Sequence, residues 1–258
     1  MSTLALVLML AAGNTPAPTI AADTIRLEVG SSEVDGTVYA PHAARVRVWV
    51  GPGQGRMRAE WTNVLTVGDS AGRKVHRWVT KGTSLSASGD TVTWELRQTY
   101  DARTLAPYGI VRTSSTGLVS ALRIDGRRVT GTRRANREAK VDTVSYQIDR
   151  PGFVASASDL VPLAVGLKPG LVMIAPIWGP PMTASELRVF SVIGTTDVDV
   201  EGTMVNAWKV EERKHVDGRL LATWYLLDKS PYMVYGEVPL PDGSIQRMTE
   251  VEIPTPQP

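Results

Sequence analysis

The chain has 258 residues and a mass of 27.9 kDa, enough to bury a sizeable core in a single domain. Its 43% hydrophobic and 21% charged residues are those of an ordinary globular protein, and a formal charge of +2 leaves no large field to steer nucleic acid or an anionic membrane. The absence of cysteine excludes disulfides, thiolate catalysis, cysteine-held metals and a lipid attached at a lipobox cysteine.

The N-terminal run Leu4 to Ala12 (LALVLMLAA) is apolar and is followed by polar, Pro-rich sequence. It is too short for a transmembrane helix, which needs about 20 residues, but it matches the apolar region of a signal peptide. No Lys or Arg precedes it, and small residues from Thr19 to Ala22 offer a cleavage site. Residues 1–22 are therefore expected to be a signal peptide, and the protein periplasmic or secreted.

From Thr24 to Arg134 nearly every segment alternates with period 2 and is punctuated by glycine, with Val92, Trp94 and Leu96 set against Thr91, Thr93 and Glu95 as the cleanest case. Such alternation predicts antiparallel sheet with one packed and one wet face. Gly51 to Gly55 has only the composition of a phosphate loop: it lacks the Lys-Ser/Thr ending and a following helix, so a loop between strands is expected. Arg127, Arg128, Arg133, Arg134, Arg137 and Lys140 form the densest basic run. Glu138 and Asp142 interrupt it and no aromatics interleave, so a solvated strand face is expected, with an anionic headgroup or partner contact as the alternative and no nucleic acid.

Between Gly152 and Gly170, Leu160, Val161, Leu163, Ala164 and Leu167 recur at helical spacing. Ser156 or Ser158 is the expected N-cap, Pro162 fits the first turn and Gly166 ends the helix. A buried strand follows from Leu171 to Gly179, which Pro176 and Pro180-Pro181 should restrict to an edge or an end. Ala207 to Ile253 then reads as a meander. Asp217-Gly218 and Asp242-Gly243 predict two-residue type I′ hairpins, and Lys229-Ser230-Pro231 a third turn. Leu220, Ala222, Trp224 and Leu226 share one strand face, beside the strand of Trp208 and Val210. Residues 254–258 read as a disordered tail.

Catalytic signals are weak. Gly68-Asp69-Ser70-Ala71-Gly72 matches the nucleophile elbow G-x-S-x-G, but a strand pattern rather than a helix follows, so a glycine-rich turn is expected and a serine hydrolase is a distant third reading. His42, His76 and His215 are too far apart for a local metal chelate and read as solvated strand histidines. Glu60, Glu95 and Asp101 are single acids without the spacing of an acid/base pair. No catalytic residue, metal or cofactor is expected.

Three stretches taken in order, Thr99 to Gly109 (TYDARTLAPYG), Asp159 to Gly170 (DLVPLAVGLKPG) and Asn206 to Met248 with its WYLLDK strand and PLPDG turn, resemble an uncharacterised family of exported half-barrel domains. That family is similar in turn to the periplasmic lipoprotein carriers of the LolA and LolB type. The resemblance covers Val92 to Ile253 and implies an unclosed antiparallel barrel, a helix lid over an apolar cavity and no enzyme activity. The chain lacks the lipobox cysteine of LolB-type carriers.

The expected architecture is thus mainly β: one curved antiparallel sheet over residues 23–253, forming an unclosed barrel with one short helix over its apolar face. The expected function is noncatalytic binding of an apolar or lipid-like molecule, the ligand set being Leu160, Leu163, Leu167, Trp178, Trp208, Trp224 and Leu226. The alternative is a scaffold with a packed core whose partner is an envelope protein. A void of several hundred Å³ behind Trp208 and Trp224 favours the binder and a filled core the scaffold.

Overall fold

The computed structural model describes residues 23–51, 55–86 and 88–254. The expected signal peptide and most of the expected tail lie outside the described residues. In chain order the strands are β1 (Thr24–Arg26), β2 (His42–Val50), β3 (Arg56–Ser70), β4 (Arg73–Leu85), β5 (Thr91–Asp101), β6 (Pro107–Ser114), β7 (Val119–Asp125), β8 (Arg128–Arg134), β9 (Asp142–Gln147), β10 (Phe153–Val154), β11 (Val172–Trp178), β12 (Glu186–Val200), β13 (Thr203–Lys214), β14 (Leu220–Leu226), β15 (Met233–Pro239) and β16 (Ile245–Glu252). Helix α1 (Leu160–Val165) lies between β10 and β11.

All sixteen strands belong to one sheet, ordered β1-β11-β12-β13-β14-β15-β16-β2-β3-β4-β5-β6-β7-β8-β9, with β10 also paired to β11. Two meanders, β2 to β9 and β11 to β16, are joined where β16 pairs antiparallel with β2. The ends of this path do not pair, so the curved sheet is not closed into a barrel. At the resulting seam Trp178 of β11 packs in one apolar cluster with Val129 and Ile148, and the Asp149 amide donates to the Thr183 carbonyl at 3.0 Å. The seam is held by side chains and loops where a ladder is missing.

The strand pattern follows the pleat. In β2, Ala44, Val46 and Val48 are buried while Arg45 and Arg47 are only partly covered. The concave face carries the main core, including Val46, Val48, Met173, Phe190, Val210 and Leu226. A second layer forms outside: Val200 and Ala207, from the outer half of the β12–β13 hairpin, pack with Val234 of β15.

Helix α1 is apolar on all sides, with Leu160 through Ala164 buried, which a short helix tolerates only inside a shell. Its carbonyls are satisfied from outside: the Asp35 amide donates to Ala164 at 2.7 Å, and the Tyr39 hydroxyl donates to the Leu160 carbonyl. Gly166, at φ 88°, ends it as expected. The N-cap differs from expectation. Asp159 occupies that position without a side-chain cap bond, and the Ser158 hydroxyl instead donates to Glu212 at 3.2 Å.

Pro176 also lies elsewhere than at an edge. Strand β11 has β12 on one side and both β1 and β10 on the other. Val172 and Ile174 turn their backbone groups toward β1, the Val172 amide reaching Asp23 and the Ile174 carbonyl accepting from Leu27 at 2.8 Å. Pro176 shares their parity. Since β1 pairs only through Ile174 and β10 only from Ile177, the missing N–H falls in the gap between these two short parallel partners.

The Asp-Gly turns are wider than two residues. Lys214 and Arg219 close the first around four residues, and Leu240 and Ser244 close the second around three. Only the glycines, Gly218 and Gly243, take positive φ. Adjacent positive-φ residues bridging paired strand ends occur instead at Ala71-Gly72 and Glu201-Gly202.

Candidate functional site

Sheet curvature leaves an interior space in two lobes. The inner lobe, about 190 Å³, is lined by Trp61, Trp78, Trp94, Leu160, Trp224 and Glu250, among others. The outer lobe, about 480 Å³, lies at the seam between β9 (Val144, Tyr146) and the segments carrying Val154, Ala155, Gly179, Pro180 and Pro181. Trp94, Leu96 and Ser156 line both lobes.

The aromatic floor of the inner lobe follows from register. Gly82 of β4 stands between Trp61 and Trp94 as their common cross-strand partner. A Cβ at Gly82 would meet the Trp61 Cβ at 2.3 Å and the Glu60 carbonyl oxygen at 2.4 Å. Only glycine allows this approach, and the two indoles close over it with centroids 5.6 Å apart.

Polar groups sit at the inner end. The Thr80 hydroxyl donates to the Asn63 side-chain oxygen at 2.9 Å, and the Asn63 amide donates to Glu250 at 3.1 Å. Burial pushes the Glu250 carboxyl up to about 8, against the Asn63 hydrogen bond, and the charge of Asp159 adds to the rise. Burial likewise pushes Asp159 up to about 7, with Glu212 contributing repulsion. Both are therefore protonated through the acidic and into the neutral range.

Glu212 stands apart from these acids because it is paired. It is 1% exposed, ion-paired to Arg188, and accepts from the Trp224 indole N–H at 2.7 Å and from Ser158. One carboxylate thereby ties β12, β13, β14 and the segment entering α1.

The residues expected to bind a ligand separate into three groups. Leu160 and Trp224 line the inner lobe. Leu163, Trp178 and Leu226 are solid core; the Trp178 indole N–H is spent on the Met182 carbonyl at 2.6 Å. Leu167 and Trp208 are half-buried against the main core. Trp208 pairs with Leu226 and Val210 with Trp224, which sets the apolar faces of the two strands side by side. The cavity residues missed by sequence reasoning are chiefly Trp61, Asn63, Trp78, Thr80, Trp94, Leu96, Asp159 and Glu250. For Trp94 and Leu96 the clean alternation of β5 was the available signal.

Ser70 is the exposed last residue of β3, paired with Arg73 across Ala71-Gly72. A hairpin, not a strand-to-helix elbow, contains the G-x-S-x-G match. Ser70→Ala is expected to shift stability by less than about 0.5 kcal/mol, and a fluorophosphonate probe should leave Ser70 unlabelled by mass spectrometry. Labelling of Ser70 in the folded protein would reverse this assignment.

Two histidines correct the expectation of solvated side chains. His42 and His76 are 2% and 3% exposed. His76 Nε2 lies 2.8 Å from the Gly36 carbonyl, and the His42 ring meets Trp78 and Tyr232 edge-on. Burial lowers the His42 pKa. His215 is exposed beside its turn. Among the described residues no group of three or more His, Asp or Glu is arranged to hold a metal ion, and no helix is long and apolar enough to cross a membrane.

No family model matches the chain, and no curated protein matches it. Among solved structures it is similar to a β-barrel-like protein of the domain of unknown function DUF1849 from Brucella abortus. The identity is 11% and the TM-score 0.47, over 82% of this chain and 95% of that one. No link to the LolA or LolB carriers comes with this likeness.

Proposed function

We propose that the protein is a noncatalytic binder of an apolar or lipid-like molecule, exported to a cell envelope and holding its ligand inside the unclosed barrel. One observation carries the reading: a space of about 480 Å³, with aliphatic and aromatic walls, lies where the sheet fails to close. Its size falls within the roughly 300–1,000 Å³ usual for small-molecule pockets. The inner lobe beside Trp224 adds about 190 Å³. Burying about ten methylenes at roughly 0.8 kcal/mol each gives a gross gain near 8 kcal/mol before ordering costs, so micromolar affinity is the expected ceiling.

N-phenyl-1-naphthylamine, a neutral apolar dye, is expected to brighten on mixing with the protein and to be displaced by dodecanol. Leu96 touches both lobes, so Leu96→Trp should weaken dye binding at least tenfold while the melting temperature stays within a few degrees. A wild type that takes up neither dye nor dodecanol would leave the packed scaffold as the reading.

A further inference from the structure

We infer that the bound molecule is a single-chain amphiphile with an anionic head, a carboxylate or a phosphate monoester, held by Arg112 and Arg133 where the outer lobe meets solvent. This rests on the reading that the cavity takes an apolar chain. Arg112 of β6, Ser120 of β7 and Arg133 of β8 are successive register partners across three strands. Cross-strand partners share a face, and all three residues line the outer lobe. With neighbouring strands about 4.8 Å apart, the two arginine Cα atoms stand about 10 Å apart. Both guanidinium groups can therefore converge above the short hydroxyl of Ser120. Guanidinium groups bind carboxylate and phosphate oxygens in forked pairs.

These two arginines are not engaged elsewhere. Within the basic run, Arg127, Arg134 and Arg137 donate to the carbonyls of Ile148, Gly117 and Ser115. The side chains of Arg112 and Arg133 make no hydrogen bond or ion pair among the described residues, although Asp142 stands opposite Arg133 in the β8–β9 ladder. Both are exposed at the rim. Next to them the wall turns apolar: Leu96 neighbours Arg112 in the ladder, and Ile110, Leu122 and Val144 line the same lobe. The far end offers no cation: Asp159 and Glu250 line the inner lobe, so an anionic head would meet acids there and guanidinium groups at the rim. The charge arrangement orients the ligand with its head outward and its chain inward.

The experiment compares dodecanoate, dodecyl phosphate, dodecanol and inorganic phosphate by calorimetric titration at low salt. The proteins are the wild type and Arg112→Gln/Arg133→Gln, whose exposed substitutions should leave the fold intact. The wild type is expected to bind both anionic amphiphiles at least tenfold more tightly than dodecanol. The double variant should lose that preference while keeping its dodecanol affinity. Equal affinity of the wild type for dodecanol and dodecanoate, or an undiminished preference in the variant, overturns the head-group assignment and leaves the acyl cavity standing. Inorganic phosphate binding as tightly as dodecyl phosphate would make this a phosphate site and also overturn it. Binding of none of the four overturns the cavity reading itself, and this inference with it.

Discussion

Arg188→Ala is expected to cost about 3–5 kcal/mol of folding stability, because it strands a carboxylate that is buried almost completely. Glu212 would keep its bonds from Trp224 and Ser158, but two neutral donors do not replace a guanidinium beside a charge removed from water. Glu186, the other partner of Arg188, retains Lys214 at 2.9 Å and adds little to the loss. In urea the transition midpoint should fall with the slope unchanged. Arg188→Met combined with Glu212→Gln should recover part of the loss by removing both charges together. A single-variant loss under about 1 kcal/mol would mean that the carboxylate is solvated after all. Apolar-dye binding tests the link to function, since Glu212 fixes the indole of Trp224, whose ring faces the inner lobe. An unpaired Glu212 is expected to loosen that wall.

Much of the fold is legible because period-2 alternation is a local property. Val92, Trp94 and Leu96 point to one face for the same steric reason in sequence and in structure, as do Ala222, Trp224 and Leu226. The turns are less legible. Glycine at positive φ is required both by a two-residue type I′ turn and by the wider loops at Gly218 and Gly243, so an Asp-Gly pair does not reveal loop length. Pro176 misleads for a related reason: a proline reports a missing donor, and an edge is only one place where a donor is not needed.

The site is harder to read than the fold because it is assembled across the barrel. Trp61 and Glu250 are far apart in the chain and meet only because β16 pairs with β2, placing Val46 of β2 between them as a ladder neighbour of both. No local pattern marks that junction. The ligand set expected from the sequence comes instead from the α1 segment, the strand that follows it and the regular meander, and three of its seven residues, Leu163, Trp178 and Leu226, are core that lines neither lobe. Asp159 and Glu250 were invisible for a different reason. Nothing local marks an aspartate beside an apolar helix, or a glutamate on an alternating strand, as a buried acid.

Those two acids give the chain an expected pH dependence of stability. A carboxyl whose folded pKa is raised favours the folded state fully below its unfolded pKa, and that contribution is lost as pH rises through the folded value. For Glu250 the window runs from the ordinary 4.5 to about 8, and for Asp159 from 3.8 to about 7. At about 1.4 kcal/mol per pH unit, raising the pH from 6.5 to 8.5 should remove about 2 kcal/mol through Glu250 and less than about 1 through Asp159. His42 acts in the opposite direction only at lower pH: its folded pKa is depressed below 6.5, so its contribution is present above that value and lost as pH falls. The melting temperature should therefore drop by about 5–10 °C between pH 6.5 and 8.5. Glu250→Gln keeps an acceptor for Asn63 and cannot ionise, so it should be more stable than the wild type at pH 8.5 and lose most of this slope. Calorimetric scans at the two pH values decide. A wild-type melting temperature that is flat or rises with pH across the window, or a Gln variant with an unchanged slope, would mean that Glu250 is already ionised and solvated through the cavity.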